Sequence, residues 1–69
     1  MEMYSVASKV IRSAGFEWET SYMVVEFTNG QTFRYYDVHE PVFQGLITAR
    51  DGDAYFAENV TGKYQRELL

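Results

Sequence analysis

Apolar and polar positions alternate from Tyr22 to Phe27, stop at Thr28-Asn29-Gly30, and resume from Gln31 to Val38 through Phe33, Arg34, Tyr35 and Tyr36. Alternation with a period of two is the mark of a half-buried strand. Asn and Gly tolerate the positive φ that tight turns require, so the pattern predicts a β-hairpin. The apolar sets also select its register. A two-residue Asn-Gly turn would set Val25 opposite Arg34 and put Met23, Val25 and Phe27 on the face away from Phe33 and Tyr35. A three-residue loop, Thr28-Asn29-Gly30, pairs Phe27 with Gln31, Val25 with Phe33 and Met23 with Tyr35, and the apolar sets coincide. A one-residue slip turns every side chain over, so burial favours the second register, with Gly30 in the left-handed position of a G1 bulge.

The rest of the chain is read around this hairpin. Residues 1–6 read as a loose lead-in, and 7–69 as one domain without repeat or linker. Val10 to Phe16 can form a strand, with Gly15 marking a bulge or a close backbone approach. Both its faces are similarly apolar, so the pattern does not orient it. Glu17 to Ser21, polar apart from Trp18, reads as a turn. Pro41 suits the start of a helix, and Val42, Phe43, Leu46, Ile47 and Ala49 form an apolar stripe at helical spacing. Gly45 inside that helix suggests close packing on the sheet. A second helix is expected over Gly52 to Val60, capped by Asp51 and ended by Gly62. In Lys63 to Leu69 the alternation of Tyr64, Arg66 and Leu68 fits a short edge strand or tail. The expected fold is α+β: a small, mostly antiparallel sheet of about three strands, in β-β-β-α-α order, with two helices on one face.

Composition narrows the possibilities. A chain of 69 residues buries only about 60% of the surface its unfolded form exposes. It has no cysteine for disulfides or a thiolate zinc site, so its 17% aromatic content must build the core. Oligomerisation, as a homo-oligomer, is the other remedy for a small core. The net charge of −4, with only six Lys and Arg, weighs against a general nucleic-acid binder. No apolar run approaches the ~20 residues of a membrane span, and no signal peptide is evident. A cytoplasmic protein away from membranes is expected, in which the Asn59-Val60-Thr61 sequon has no meaning.

The ordered set Phe27-Thr28-Asn29-Gly30, Phe33-Arg34-Tyr35, Val38, Val42-Phe43-Gln44-Gly45-Leu46, Tyr55-Phe56-Ala57-Glu58-Asn59-Val60 and Gly62-Lys63-Tyr64 closely resembles the KTSC domain. That module stands at the C-terminus of some lysyl-tRNA synthetases and also occurs as free-standing small bacterial and phage proteins. The resemblance runs from about Ala7 to Leu69. It implies a non-catalytic module of unassigned role, for which RNA or tRNA binding has been suggested. The family's central Tyr-x-Tyr is here Phe33-Arg34-Tyr35, and its paired serines are Ala7-Ser8.

Two clusters are candidate ligand-binding surfaces. Tyr22, Val24, Arg34 and Tyr36 share the face opposite Phe33 and Tyr35, and an aromatic pair beside an Arg is similar to sheet platforms that stack single-stranded bases. Tyr55, Asn59, Lys63 and Tyr64 could line a small polar surface. Phe27, Gly30, Phe33, Tyr35, Phe56 and Gly62 read as structural, with Phe56 and Val60 in the core. His39 is the only histidine; with Asp37 and Glu40 it reads as part of the loop opening the first helix. No metal spacing, base-activated nucleophile or phosphate-cradling loop occurs, so neither catalysis nor a cofactor is expected. The acidic balance favours a protein partner slightly over RNA.

Overall fold

A computed structural model describes all 69 residues. Its centre is the expected hairpin, β3 (Tyr22–Phe27) and β4 (Thr32–Tyr35) in the numbering that follows. Met23 pairs with Tyr35, Val24 with Arg34 and Val25 with Phe33. The Phe27 amide donates to the Gln31 carbonyl at 2.8 Å and the Gly30 amide to the Phe27 carbonyl at 3.1 Å. Gly30 has φ +93°, and the Asn29 side chain accepts from the Gln31 amide at 2.9 Å. The three-residue loop and its register are as the apolar pattern requires.

β2 (Ile11–Glu17) pairs antiparallel with β3, setting Ala14 opposite Val25 and Phe16 opposite Met23. This orients the strand whose two faces looked alike. Its register shifts between Ile11 and Ser13, so the bulge falls at Arg12 and not at Gly15. The extra residue keeps Ile11 on the same face as Ala14 and Phe16 while Arg12 stays exposed. Gly15 serves the other expected purpose, close approach: a Cβ there would lie 2.7 Å from the Glu2 carbonyl oxygen and from the Met3 sulfur.

The sheet has five strands, not three. β1 (Tyr4–Ser5) pairs with β2, inside the segment expected to lead in loosely, and β5 (Arg66–Leu68) pairs with β4. The strand order is β1-β2-β3-β4-β5, antiparallel throughout. β5 is the edge strand that the alternation of Arg66 and Leu68 allows, whereas β1, at two residues, is too short to carry a periodic signal and owes its form to the free backbone groups of β2.

Between β4 and β5 run α1 (Glu40–Thr48) and α2 (Gly52–Asn59). His39 caps the first with Pro41 in its opening turn. The Asp51 side chain caps the second, accepting from the Ala54 amide at 3.1 Å. Gly62 turns the chain away at φ +74°. Both helices cover the face bearing Ala14, Phe16, Met23, Val25 and Tyr35, and close the core with Phe43, Leu46 and Val60. Phe56 stands edge-on to Phe27 and Tyr35, ring centres 6.0 and 5.7 Å away, in the geometry aromatic quadrupoles favour.

Gly45 packs against the second helix and not the sheet. A Cβ there would collide with the phenol of Tyr55, whose hydroxyl donates to the Val42 carbonyl at 2.9 Å. The ring cannot yield without breaking that bond. Two outcomes follow. Gly30→Ala will destabilise by more than about 1 kcal/mol, since Ala is strained at positive φ. Gly45→Ala will destabilise the wild type yet stabilise a Tyr55→Ala background, where the helix preference of Ala, about 1 kcal/mol, is free to act. Urea unfolding of the four proteins of that cycle, and of Gly30→Ala, checks both.

Candidate functional site

With both helices on one side, the other face of the sheet carries no helix; Met1 and Met3 reach over Gly15 at its β2 end, and Tyr22, Val24, Arg34 and Tyr36 are half-buried on it. Pairing Val24 with Arg34 and Arg34 with Glu67 sets a row of side chains across it. The Arg34 guanidinium lies over the Tyr22 ring at 4.6 Å and reaches Glu67 Oε1 at 3.5 Å. The Tyr36 hydroxyl donates to the same oxygen at 2.6 Å and accepts from Arg34 Nη1 at 3.4 Å. The hydrogen bond to Tyr36 raises the guanidinium pKa above its ordinary value; the charges of Tyr22 and Glu67 add to this, and partial desolvation opposes it. Arg34 Nε is buried and makes no hydrogen bond.

Tyr22, Arg34 and Tyr36 therefore do converge, but around a carboxylate. The alternation of Tyr64, Arg66 and Leu68 does not single out Glu67; the signal for it is its opposite parity, which sets it across from Arg34. A second carboxylate, Glu26, stands on the same face and accepts from the Ser13 hydroxyl at 3.0 Å. On the covered face, Phe33 lies under the Arg66 guanidinium at 4.5 Å and edge-on to Phe27 at 5.8 Å.

The second cluster does not assemble as one polar surface. Tyr55 is turned into the helix packing by its bond to Val42, and the Asn59 amide donates to the Tyr55 carbonyl at 3.0 Å within α2. Both polar groups are spent on structure. Burial raises the Tyr55 pKa, with a smaller contribution from Tyr64. Lys63 is exposed and lies with Tyr36, Asp37, Tyr64 and Gln65 along a shallow depression. Helical spacing placed Tyr55 and Asn59 together correctly, but Lys63 follows the end of α2 and leaves that face.

One further arrangement has no signal along the chain: a clasp between the N-terminal segment and α2. The Ser8 hydroxyl donates to Asp53 Oδ1 at 2.5 Å and the Lys9 amide to Asp53 Oδ2 at 3.1 Å. The Ser8 oxygen in turn accepts from the amides of Val10 and Ile11 at 3.0 and 2.8 Å. The Gly52 amide donates to the Ala7 carbonyl at 2.7 Å. The Ser8 hydrogen bond, with help from the Lys9 amide, lowers the Asp53 pKa. Asp37 takes φ +55° just before α1, and His39 is exposed, without a side-chain capping bond. No group of three or more His, Cys, Asp or Glu is placed to hold a metal ion, and no helix is long and apolar enough to cross a membrane.

An antiparallel meander backed by two helices, with its N-terminal segment clasped to the second, defines a small two-layer α+β domain. The chain belongs to the KTSC domain family, whose sequence profile matches residues 7–64. It is similar in fold to the crystal structure of a KTSC domain protein from Yersinia pestis, with a TM-score of 0.88 at 23% identity, over 99% of this chain and 96% of that one. A search of curated proteins gives no match.

The clasp should show in the acid limb of stability. A carboxylate whose folded pKa is depressed contributes stability that is fully present above its unfolded value, about 3.9 for Asp, and lost as pH falls through the folded value. Asp53→Asn should therefore be less stable than wild type at pH 7, with the difference shrinking steadily below about pH 5. Urea midpoints across that range measure it; a difference independent of pH would remove the ionised carboxylate from the account.

Proposed function

We propose that the protein is a small non-enzymatic binding module whose helix-free sheet face docks a protein partner. The observation that carries this reading is the state of Arg34. It is the cation at the centre of the face, and Glu67 and Tyr36 already engage it. A phosphate group would have to displace an internal carboxylate and approach Glu26 as well. The net charge of −4 adds a repulsive long-range field. A protein surface can instead match the mixed charge of the face and cover Tyr22, Val24 and Tyr36, an amphipathic set of the kind that interfaces use.

The convergence of Tyr22, Arg34 and Tyr36 supports RNA as the second reading, in keeping with the suggestion made for the family. Base stacking on an aromatic side chain is worth about 1–3 kcal/mol, so in that case Tyr36→Ala would weaken binding about tenfold. Titration with single-stranded RNA and tRNA at low salt separates the two. The expected result is no micromolar binding to either RNA. Capture of a partner from the native host should survive nuclease and moderate salt, and should be lost in Tyr36→Ala. Micromolar RNA binding abolished by Tyr36→Ala and Arg34→Ala would replace the protein reading with the RNA reading.

A further inference from the structure

At the β1–β2 edge of the sheet, a groove of about 400 Å³ opens between the N-terminal segment, the end of β2 and α1. Four aromatic side chains line it: Tyr4, Phe16, Trp18 and Phe43. They form a continuous set. Phe16 stacks on Phe43 with ring centres 5.5 Å apart, Trp18 meets Phe16 in a T at 5.3 Å, and Tyr4 meets Phe43 in a T at 6.0 Å. Phe16 and Phe43 are buried and make the floor. Trp18 and Tyr4 are 65% and 43% exposed and make the walls. Met1, with its α-amino group, also lines it; the ionisable side chains of the lining are Glu2 and Glu17, the latter accepting from the Glu19 amide at 3.4 Å, and no Lys or Arg side chain contributes.

We infer that this groove binds the arginine side chain of a basic segment of a partner protein. Chemistry decides among the occupants. Aromatic faces carry negative quadrupole potential and attract cations. Anions meet the same potential and two carboxylates. A purely apolar side chain would fill the groove but take water from Glu2 and Glu17 without replacing its hydrogen bonds. Among cations, the guanidinium is planar, weakly hydrated and rich in donors, so it stacks on Trp and Tyr while pairing with carboxylates. A lysine ammonium is more strongly hydrated, and a quaternary ammonium brings no N–H to a carboxylate. Trp18 is the point of greatest consequence. A solvated indole two residues from a core phenylalanine contributes only an edge contact to the fold, and its remaining surface is free to receive a ligand. This inference goes beyond the sheet-face reading and does not depend on it: the two surfaces share no side chain and meet only where Glu17 pairs with Tyr22.

Trp18 is the only tryptophan, so its fluorescence reports on the groove directly. The full chain is titrated with a short peptide of alternating Gly and Arg. Parallel titrations use the lysine version, the neutral citrulline version and free arginine. The expected result is a saturable change in Trp18 emission with the arginine peptide, about fivefold or more tighter than with the lysine version, and none with the citrulline version. By calorimetry, Trp18→Ala and the Glu2→Gln/Glu17→Gln pair should each weaken binding by about fivefold or more. Glu58→Gln, which removes a distant charge from α2, should leave it unchanged. Circular dichroism confirms folding, and Trp18→Phe, which keeps a ring in place, should retain part of the affinity. Equal binding of the citrulline or lysine peptide, undiminished binding in Trp18→Ala, or equal weakening by Glu58→Gln would overturn the inference. So would free arginine binding as tightly as the peptide. Loss in Tyr36→Ala with retention in Trp18→Ala would move the site to the sheet face, so the two readings fail separately.

Discussion

The pairing of Val25 with Phe33 is the constraint on which the rest of this structure depends. It exists because the chain reverses over three residues and Gly30 can take a positive φ. Once it is set, Met23, Val25 and Tyr35 must face one way and Val24 and Arg34 the other. The first set has aromatic and aliphatic bulk enough to seat Phe56, Phe43 and Leu46, so the helices have one side on which to pack. β2 then has no freedom either: only the orientation that adds Ala14 and Phe16 to the covered face completes the core, and the bulge at Arg12 extends that choice to Ile11. The mixed polar face is a product of the same register. Its Tyr22, Arg34 and Tyr36 are together because the apolar residues between them are together on the other side.

What could be read in the sequence was what neighbours along the chain decide. The hairpin, its loop length and the two helices rest on signals within a few residues: a turn glycine, a capping Asp51, a stripe at helical spacing. What escaped was decided across the fold. β1 is two residues long and owes its form to β2. The close approach at Gly45 is to Tyr55 of the second helix and not to the sheet, which depends on the angle between the helices. Ser8 and Asp53 meet from distant parts of the chain, and nothing in either neighbourhood announces the other. The candidate face was legible in its residues but not in its electrostatics, because the carboxylate that engages Arg34 arrives on the last strand. Lys63 lies past the end of α2, where the helical spacing that relates Tyr55 to Asn59 no longer holds.

The charge arrangement gives the two surfaces different characters. On the sheet face away from the helices the cation already has its anion, with Tyr36 hydrogen-bonded to both and Tyr22 beneath the guanidinium, and only Arg34 Nε is left without a partner. In the aromatic groove at the β1–β2 edge, Glu2 and Glu17 stand beside exposed rings with no Lys or Arg side chain in the lining. One surface is electrostatically closed and the other open, on a domain whose extents are 28 × 24 × 24 Å. A partner large enough to reach both would be held across the sheet edge as well as on its face.

The strand order repeats the chain order, and this has a consequence for assembly. In a nascent chain growing from its N-terminus, β1 to β4 are complete at Tyr35, before the first residue of α1 has been made. The meander can pair locally at that stage, but the surface carrying Met23, Val25 and Tyr35 has nothing to cover it. Cover arrives with Phe43 and Leu46, then with Phe56 and Val60, and only afterwards does β5 take the last edge. The sheet is thus the earliest part of the domain to be spelled out and the latest to be shielded from other chains. A cut between Tyr35 and Glu40 would yield a bare sheet and a pair of short helices, neither with an interior of its own.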